Sequence, residues 1–217
     1  MTKKERLRQI LALLRKEYCP RPEDFILFSN PLELVVGTVL SAQCTDKRVN
    51  MVTQDLFLRY QTAFDYANAS LFDLEKIIFS TGFYRSKAKY LKGIGKVLTE
   101  KFDGKVPDRL EDLLLLPGVS TKTAYLVLSK GFGKDVGVAV DTHVLRLSGR
   151  LGLSKSKNPD QISRDLFGLV RSEDFLFLNE GLILHGRAVC LSRAPKCSGC
   201  VLFDLCPSGK KFALQKK

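Results

Sequence analysis

The sequence predicts an all-α protein of 217 residues, and three observations lead to this fold class. Apolar residues recur at intervals of three or four positions through most of the chain, which is the spacing of amphipathic helices. Glycine and proline punctuate the segments between these runs, as is typical of turns that connect helices. The short apolar run at 136–140 suits a strand, but no pairing partner is evident nearby, so we expect a buried extended segment that leads into a helix.

The predicted helices follow one another along the chain without an internal repeat or a flexible linker. Each has the apolar spacing that would bury one face against a core. Asp108 follows Pro107 and is the predicted N-cap of the sixth helix. The ten predicted helices cover 7–18, 31–43, 49–60, 70–80, 87–102, 108–116, 121–132, 142–152, 159–170 and 173–184.

The composition excludes several classes of protein. With 45% hydrophobic and 27% charged residues, the chain has the balance of a globular domain rather than of a disordered one. No apolar stretch reaches the ~18 residues that a membrane helix needs. The N-terminal segment alternates charged residues with leucine and does not resemble a signal peptide. We therefore expect an intracellular protein without a membrane partner, in which six cysteines indicate metal or cofactor binding before disulfides.

The positive charge is concentrated at the two ends of the chain. The formal net charge is +12, and residues 1–23 contribute +4 while residues 185–217 contribute +6. The long middle, 24–184, contributes only +2. If the two ends pack together, they form one basic lobe that would attract a polyanion through phosphate contacts. A solvated surface that only aids solubility is an equally good interpretation of charge alone.

Four cysteines near the C-terminus form the strongest metal signal. Their C-x6-C-x2-C-x5-C spacing differs from the paired layout of most structural zinc sites, and a [4Fe–4S] cluster, one per chain, suits it best. A four-cysteine zinc site and a pair of disulfides are the alternatives. We expect a structural role, with Arg193 and Lys196 pointing outward from the pinned loop, and we expect Cys19 and Cys44 to be buried thiols. The predicted ligands are Cys190, Cys197, Cys200 and Cys206.

A helix–hairpin–helix is the second signal, in LLLLPGVSTKTAYLVL at 113–128. Gly118 permits a tight turn and Val119 is placed to pack inward as its anchor. The backbone N–H groups of the turn and of the next helix's first residues, including Ser120, would then form an anion site suited to a DNA phosphate. A plain αα-hairpin explains the same motif equally well.

Several motifs together resemble the endonuclease III family. They are LPGVSTKTA, AVDTH about twenty residues later, and HGRAVC opening the cysteine array, with SAQCTDKRVN and TGFYRSKA upstream. The resemblance spans nearly the whole chain. It implies two helical domains with a DNA cleft between them: a six-helix barrel with the hairpin at 24–135, and a cluster domain made of 1–23 and 136–217. It also implies removal of oxidised pyrimidines from duplex DNA, followed by cleavage 3′ to the abasic site through a lysine Schiff base.

The resemblance assigns the chemistry to Lys122 and Asp141. An attacking amine must be neutral, and desolvation and the positive end of a helix both favour the neutral form. Asp141 would stabilise positive charge on the sugar or help to activate the amine. The plainer interpretations are a surface lysine that contacts phosphate and a helix N-cap.

The family pattern also places residues against DNA. Gln43 and Phe83 would fill and wedge the stack after a base is flipped, although a polar helix end and a core aromatic are fair alternatives. Arg187 is placed to bind phosphate or to support the fold. Ser120 stands where the family usually has glycine, Thr121 replaces a frequent basic residue, and Phe83 replaces a commoner leucine. None of these departures touches the chemistry, but they leave affinity and lesion preference open.

Two other functions remain open on the sequence. A monofunctional, mismatch-specific glycosylase would share the fold and the cluster, and a non-catalytic DNA-binding protein would share the hairpin and the basic lobe. The partner that we expect is double-stranded DNA with damaged bases or abasic sites. We expect a monomer that acts in the cytoplasm, at the nucleoid if the source is bacterial.

Overall fold

The computed structural model describes residues 1–214, and all regular secondary structure in that range is helical. The chain divides into two compact units, each with its own hydrophobic core. One unit is continuous, Arg21–Lys134, and the other combines Met1–Pro20 with Asp135–Lys217. The two basic ends of the sequence therefore lie in the same unit.

The continuous unit is built around a long central helix, α6. Gly95 of α6 lets α4 approach closely, because a Cβ there would lie 2.4 Å from the Ala67 amide nitrogen and 2.6 Å from the Ala63 carbonyl oxygen. The helix α2 also packs on α8 and is buried along most of its length. The helices of this unit are α2 (Pro31–Ser41), α3 (Asp46–Arg59), α4 (Ala63–Asn68), α5 (Leu71–Ile78), α6 (Tyr84–Lys101), α7 (Leu110–Leu113) and α8 (Thr121–Phe132).

The discontinuous unit packs the N-terminal helix against a helix near the other end of the chain. One face of α1 buries leucine and isoleucine side chains, and α1 contacts α11. Buried Asp174 precedes α11 and accepts hydrogen bonds from Arg15 at 2.7 Å and from Arg171 at 3.1 Å. The helices of this unit are α1 (Lys3–Glu17), α9 (Thr142–Arg150), α10 (Pro159–Phe167), α11 (Phe175–Ala188) and α12 (Gly209–Leu214).

Helix starts follow side-chain capping, which the sequence shows directly. Thr2 and Thr62 close capping boxes with the acidic residue three positions later. Asn30, which precedes Pro31, accepts the Glu33 amide. These local hydrogen bonds satisfy N–H groups that would otherwise lack partners at each helix start.

Three expectations from the sequence are wrong. Asp108 does not cap α7, whose N-cap is Arg109; its carboxylate instead forms an ion pair with Lys134. The helix predicted at 108–116 shortens to Leu110–Leu113 and continues as turns. Cys19 is exposed rather than buried, because it follows the end of α1. The segment at 136–140 forms no strand: residues 136 and 137 lie in a bend, Val136 is exposed, and Val138, Ala139 and Val140 are buried.

Candidate active site and metal centre

The helix–hairpin–helix turn has the backbone that the sequence predicts. Gly118 has φ +79°, and a Cβ at this position would lie 2.8 Å from the Tyr90 ring, so both the conformation and the close approach require glycine. Val119 is buried, and its amide donates to the Leu116 carbonyl at 3.1 Å. The hairpin is thus anchored by Val119 while Gly118 stays at the surface.

Ser120 caps the helix that follows the hairpin. Its Oγ accepts the Thr123 amide at 3.3 Å and lies 3.2 Å from the Thr123 hydroxyl. Within residues 1–214, the amides of Gly118, Ser120 and Thr121 have no hydrogen-bond acceptor. Unbonded amides at the start of a twelve-residue helix favour a bound anion.

Lys122 is the second residue of α8 and directly follows these amides in the chain. Its side chain is exposed and forms no ion pair with any residue that the structure describes. It lies next to these unbonded amides, so a phosphate bound to them would hold a neighbouring sugar close to the amine.

Gln43 and Phe83 lie around one recess with Gly118. The recess has a volume of about 260 Å³ and is lined by residues of the hairpin, of α6 and of the loop after α2. Gln43 has φ 53° and Phe83 has φ 59°, both left-handed conformations that are uncommon outside glycine. Phe83 is 66% exposed, so it is not the core aromatic that was the alternative interpretation. Gln43 is exposed as well.

Asp141 is the N-cap of α9, as one interpretation of the sequence proposed. The Val144 amide donates to Asp141 Oδ1 at 2.7 Å, and the side chain is half-buried. The second carboxylate oxygen makes no hydrogen bond to a described residue, so the carboxylate can cap the helix and still meet another group.

The residues around Asp141 are rich in basic groups. His143 Nδ1 lies 3.0 Å from Arg146 Nη2. Burial lowers the pKa of His143; the Asp141 carboxylate opposes this, and Arg146 and Arg187 reinforce it. Arg187 lies in the last turn of α11 and is exposed.

The loop from Cys190 to Cys197 carries two further cations. Arg193 and Lys196 are both exposed. Ala194 between them has φ 46°, and the Lys196 amide donates to the Val189 carbonyl at 3.0 Å, which closes the loop back on the end of α11. The loop presents its cations to solvent from a fixed backbone.

The four cysteines of the array line one small apolar recess. Burial raises the pKa of the Cys200 and Cys206 thiols, and the neighbouring cysteines raise it further. No disulfide links any cysteines in the described residues. Within residues 1–214, no three His, Cys, Asp or Glu side chains converge as the ligands of a single metal ion do.

Two further side chains, Arg150 and His185, lie within hydrogen-bonding distance of the cysteine sulfurs. Neither is predicted from the sequence to belong to this site. Arg150 Nη1 donates to Cys190 Sγ at 3.3 Å. His185 is buried, with Nε2 at 3.4 Å from Cys200 Sγ and Nδ1 at 3.0 Å from the Tyr18 hydroxyl. An N–H···S hydrogen bond such as that of Arg150 is typical of the surroundings of iron–sulfur centres, so the residues present fit a four-cysteine cluster.

Comparisons with known proteins identify the family of this chain. A model of the HhH-GPD superfamily base excision DNA repair protein matches residues 36–172. Endonuclease III of Synechocystis sp. is 48% identical over 209 residues, which cover 96% of this chain and 95% of that protein. The chain belongs to the endonuclease III family. It is a base excision repair DNA glycosylase and AP lyase.

A further relative and two solved structures of endonuclease III also resemble this chain. Endonuclease III of Bacillus subtilis is 41% identical, with 93% of this chain and 96% of that protein covered. A solved non-covalent endonuclease III–DNA complex has a TM-score of 0.89 at 37% identity, with all of both chains covered. A trapped endonuclease III–DNA covalent intermediate has a TM-score of 0.87 at 38% identity, covering 97% of this chain and 99% of that one. None of the helices in residues 1–214 is long and apolar enough to span a membrane.

Proposed function

We propose that this glycosylase removes oxidised pyrimidines and that Lys122 is its nucleophile. The bond from Lys122 Nζ to the sugar C1′ forms as the C1′–N bond breaks, and the departing base takes up a proton. Nζ then loses one proton, the C1′–O4′ bond breaks as O4′ takes up a proton, and a protonated Schiff base forms between Nζ and C1′. Loss of a C2′ proton then expels the 3′ phosphate, and water hydrolyses the Schiff base to release the enzyme. The observation that carries the proposal is the exposed Lys122 in the first turn of α8, beside amides that lack acceptors.

Asp141 stabilises the charge that this reaction creates. As the glycosidic bond breaks, positive charge builds on the sugar. A nearby carboxylate stabilises this charged state more than it stabilises the bound substrate. Its Oδ1 is held by the Val144 amide, which fixes the carboxylate against rotation. A fixed carboxylate requires little reorganisation when the charge appears.

The protein binds DNA in two ways: it contacts the phosphate backbone, and it fills the gap left by the flipped base. The amides of Gly118 and Ser120 bind a phosphate near the damaged nucleotide. Gln43 and exposed Phe83 occupy the vacated stack, which offsets the cost of unstacking. The exposed cations Arg187, Arg193 and Lys196 bind phosphates without reading sequence. The partner is double-stranded DNA with damaged bases or abasic sites.

The four cysteines hold one [4Fe–4S] cluster per chain. Cys190, Cys197, Cys200 and Cys206 are the ligands, and when bound the cluster cross-links the C-terminal segment. The cysteines would bind the cluster as thiolates, so binding would release the protons that burial otherwise favours on Cys200 and Cys206. We further propose that the enzyme is a monomer and acts in the cytoplasm.

Metal analysis of the purified protein tests the cluster. We expect iron and acid-labile sulfide with visible absorbance, and Cys197→Ser should yield colourless, less soluble protein. Stoichiometric zinc without sulfide would contradict the assignment and favour the mononuclear alternative. Full DNA affinity in cluster-free protein would show that the array is dispensable for binding.

One set of labelled duplexes tests the reaction. The strands contain thymine glycol, a uracil mismatch or an abasic site. We expect excision of thymine glycol with strand cleavage, and cleavage at the abasic site. Release of mismatched uracil without cleavage would indicate a monofunctional enzyme, and binding without any reaction would indicate a non-catalytic protein.

A further inference from the structure

A buried lysine lies beneath the proposed DNA-facing loops. Lys87 of α6 is 3% exposed, and its Nζ donates to the Leu40 carbonyl oxygen at 2.7 Å. No second hydrogen bond or ion pair of this ammonium is present in the described residues. Burial lowers the pKa of Lys87, and the nearby Cys44 thiol acts in the opposite direction. A buried ammonium with a single acceptor is costly, because desolvation is only partly offset.

The position of this hydrogen bond links two helix ends. Leu40 lies in the last turn of α2, three residues before Gln43. The Lys87 amide donates to the Phe83 carbonyl at 3.1 Å, so Lys87 lies one helical turn after Phe83. The ammonium therefore ties the helix that ends before Gln43 to the helix that begins after Phe83.

Both tied loops hold strained backbone. Gln43 and Phe83 have positive φ, a left-handed conformation that is unfavourable for residues other than glycine. The loops also approach each other closely, since a Cβ on Gly82 would lie 3.4 Å from the Gln43 carbonyl oxygen. Lys87 lines the same recess as Gln43 and Phe83. Strained conformations persist only where the surrounding contacts enforce them, and the Lys87 hydrogen bond is one such contact.

We propose that Lys87 is a positioning residue that fixes the spacing of Gln43 and Phe83 without touching DNA. Its ammonium holds the end of α2 against α6, so both side chains are in place before the base leaves the stack. The inference rests on the proposed roles of Gln43 and Phe83. Lys87 then contributes to recognition of damage, while the hairpin amides and the surface cations contribute to general affinity.

The test compares Lys87→Met with a matched control on the same helix. Lys92 Nζ donates to the Ala69 carbonyl at 2.8 Å, where α4 ends, and Lys92 does not line the recess. Lys92→Met therefore removes the same kind of hydrogen bond from the same helix. Binding is measured to an abasic-analogue duplex and to the undamaged duplex, with 2-aminopurine opposite the lesion to report unstacking.

We expect Lys87→Met to lower the preference for the abasic analogue by about tenfold to a hundredfold, as for a displaced active-site group. Affinity for undamaged duplex should stay within about twofold, because general binding depends on other groups. The 2-aminopurine signal should fall by as much as the fall expected for Phe83→Ala. Lys92→Met should keep both the preference and the signal, even if its melting temperature falls as far.

Two results would overturn the inference. One is unchanged preference and fluorescence in Lys87→Met, and the other is an equal loss in Lys92→Met, which would indicate a general effect on the fold. Should Lys87→Met not fold, Lys87→Gln, whose side chain is one bond shorter, enters the same comparison. Failure of the proposed function is separate: wild-type protein would then show no preference for the abasic analogue, or Gln43→Ala and Phe83→Ala would not reduce the signal.

Discussion

Substitution of Asp141 separates its role as a helix cap from its proposed role in catalysis. Its carboxylate accepts the Val144 amide at 2.7 Å, and it is half-buried. Asn and Ser cap helices about as well as Asp, whereas loss of the cap in Asp141→Ala costs about 0.5–2 kcal/mol. For a chain of this length, that corresponds to a melting temperature lower by about 1–8 °C.

The excision rates of the Asp141 variants should not follow the order of their stabilities. Asn, Ser and Ala all lack the carboxylate, so each should lower single-turnover excision by about a hundredfold or more. Melting temperatures of Asp141→Asn and Asp141→Ser should stay close to the wild-type value, and binding to an abasic-site duplex should survive in both. The assays are thermal unfolding and single-turnover base release on the same preparations.

A second helix cap supplies the control. Asn158 caps α10 by accepting the amides of Asp160 and Gln161 at 2.8 and 3.1 Å. Asn158→Ala should lose stability comparable to that of Asp141→Ala while excision stays at the wild-type rate. If excision instead tracks the melting temperature across the Asp141 series, with Asn and Ser active and Ala inactive, the residue is a cap alone.

The remaining predictions concern charge. Neutralising Arg193 and Lys196 together should weaken binding to damaged and undamaged duplex alike. It should also flatten the slope of log binding constant against log salt concentration by about two units. Neutralising the exposed pair Lys155 and Lys157 is the control, and an unchanged slope in the first variant would mean that DNA binds elsewhere. Burial tends to raise the pKa of Asp174, but hydrogen bonds from two arginines outweigh it and the pKa is lowered. Stability from Asp174 is therefore present above pH ~4 and lost as pH falls further. Asp174→Asn should lower the free energy of unfolding at pH 7, measured in urea titrations, by about 1–3 kcal/mol, with a smaller difference below pH 4. A difference independent of pH would contradict this.

Local signals made much of the fold predictable. The α8 boundaries at 121–132 agree with the structure because Ser120 caps the start and Gly133 ends the helix with φ 64°. Asp141 likewise marks the start of α9. The short helix α4 was missed, since six residues give too little periodicity to detect. Asp108 was assigned wrongly because its ion pair with Lys134 is 26 residues distant.

The parts of the site that depend on distant contacts were not predictable. The Lys87 ammonium meets a carbonyl 47 residues away, and the Arg150 guanidinium meets the Cys190 sulfur 40 residues away. A sequence shows a lysine or an arginine at these positions but not its burial or its partner. The left-handed backbone of Gln43 and Phe83 was equally hidden, because neither residue type favours positive φ. The cysteine array and the hairpin were visible because their residues are close in sequence.

Borohydride trapping tests the central claim most directly. Enzyme is incubated with an abasic-site duplex, reduced, and digested, and the cross-linked peptide is mapped by mass spectrometry. The proposed mechanism predicts one adduct, on Lys122, and no adduct in Lys122→Ala. An adduct on another amine, or undiminished trapping in Lys122→Ala, would contradict it.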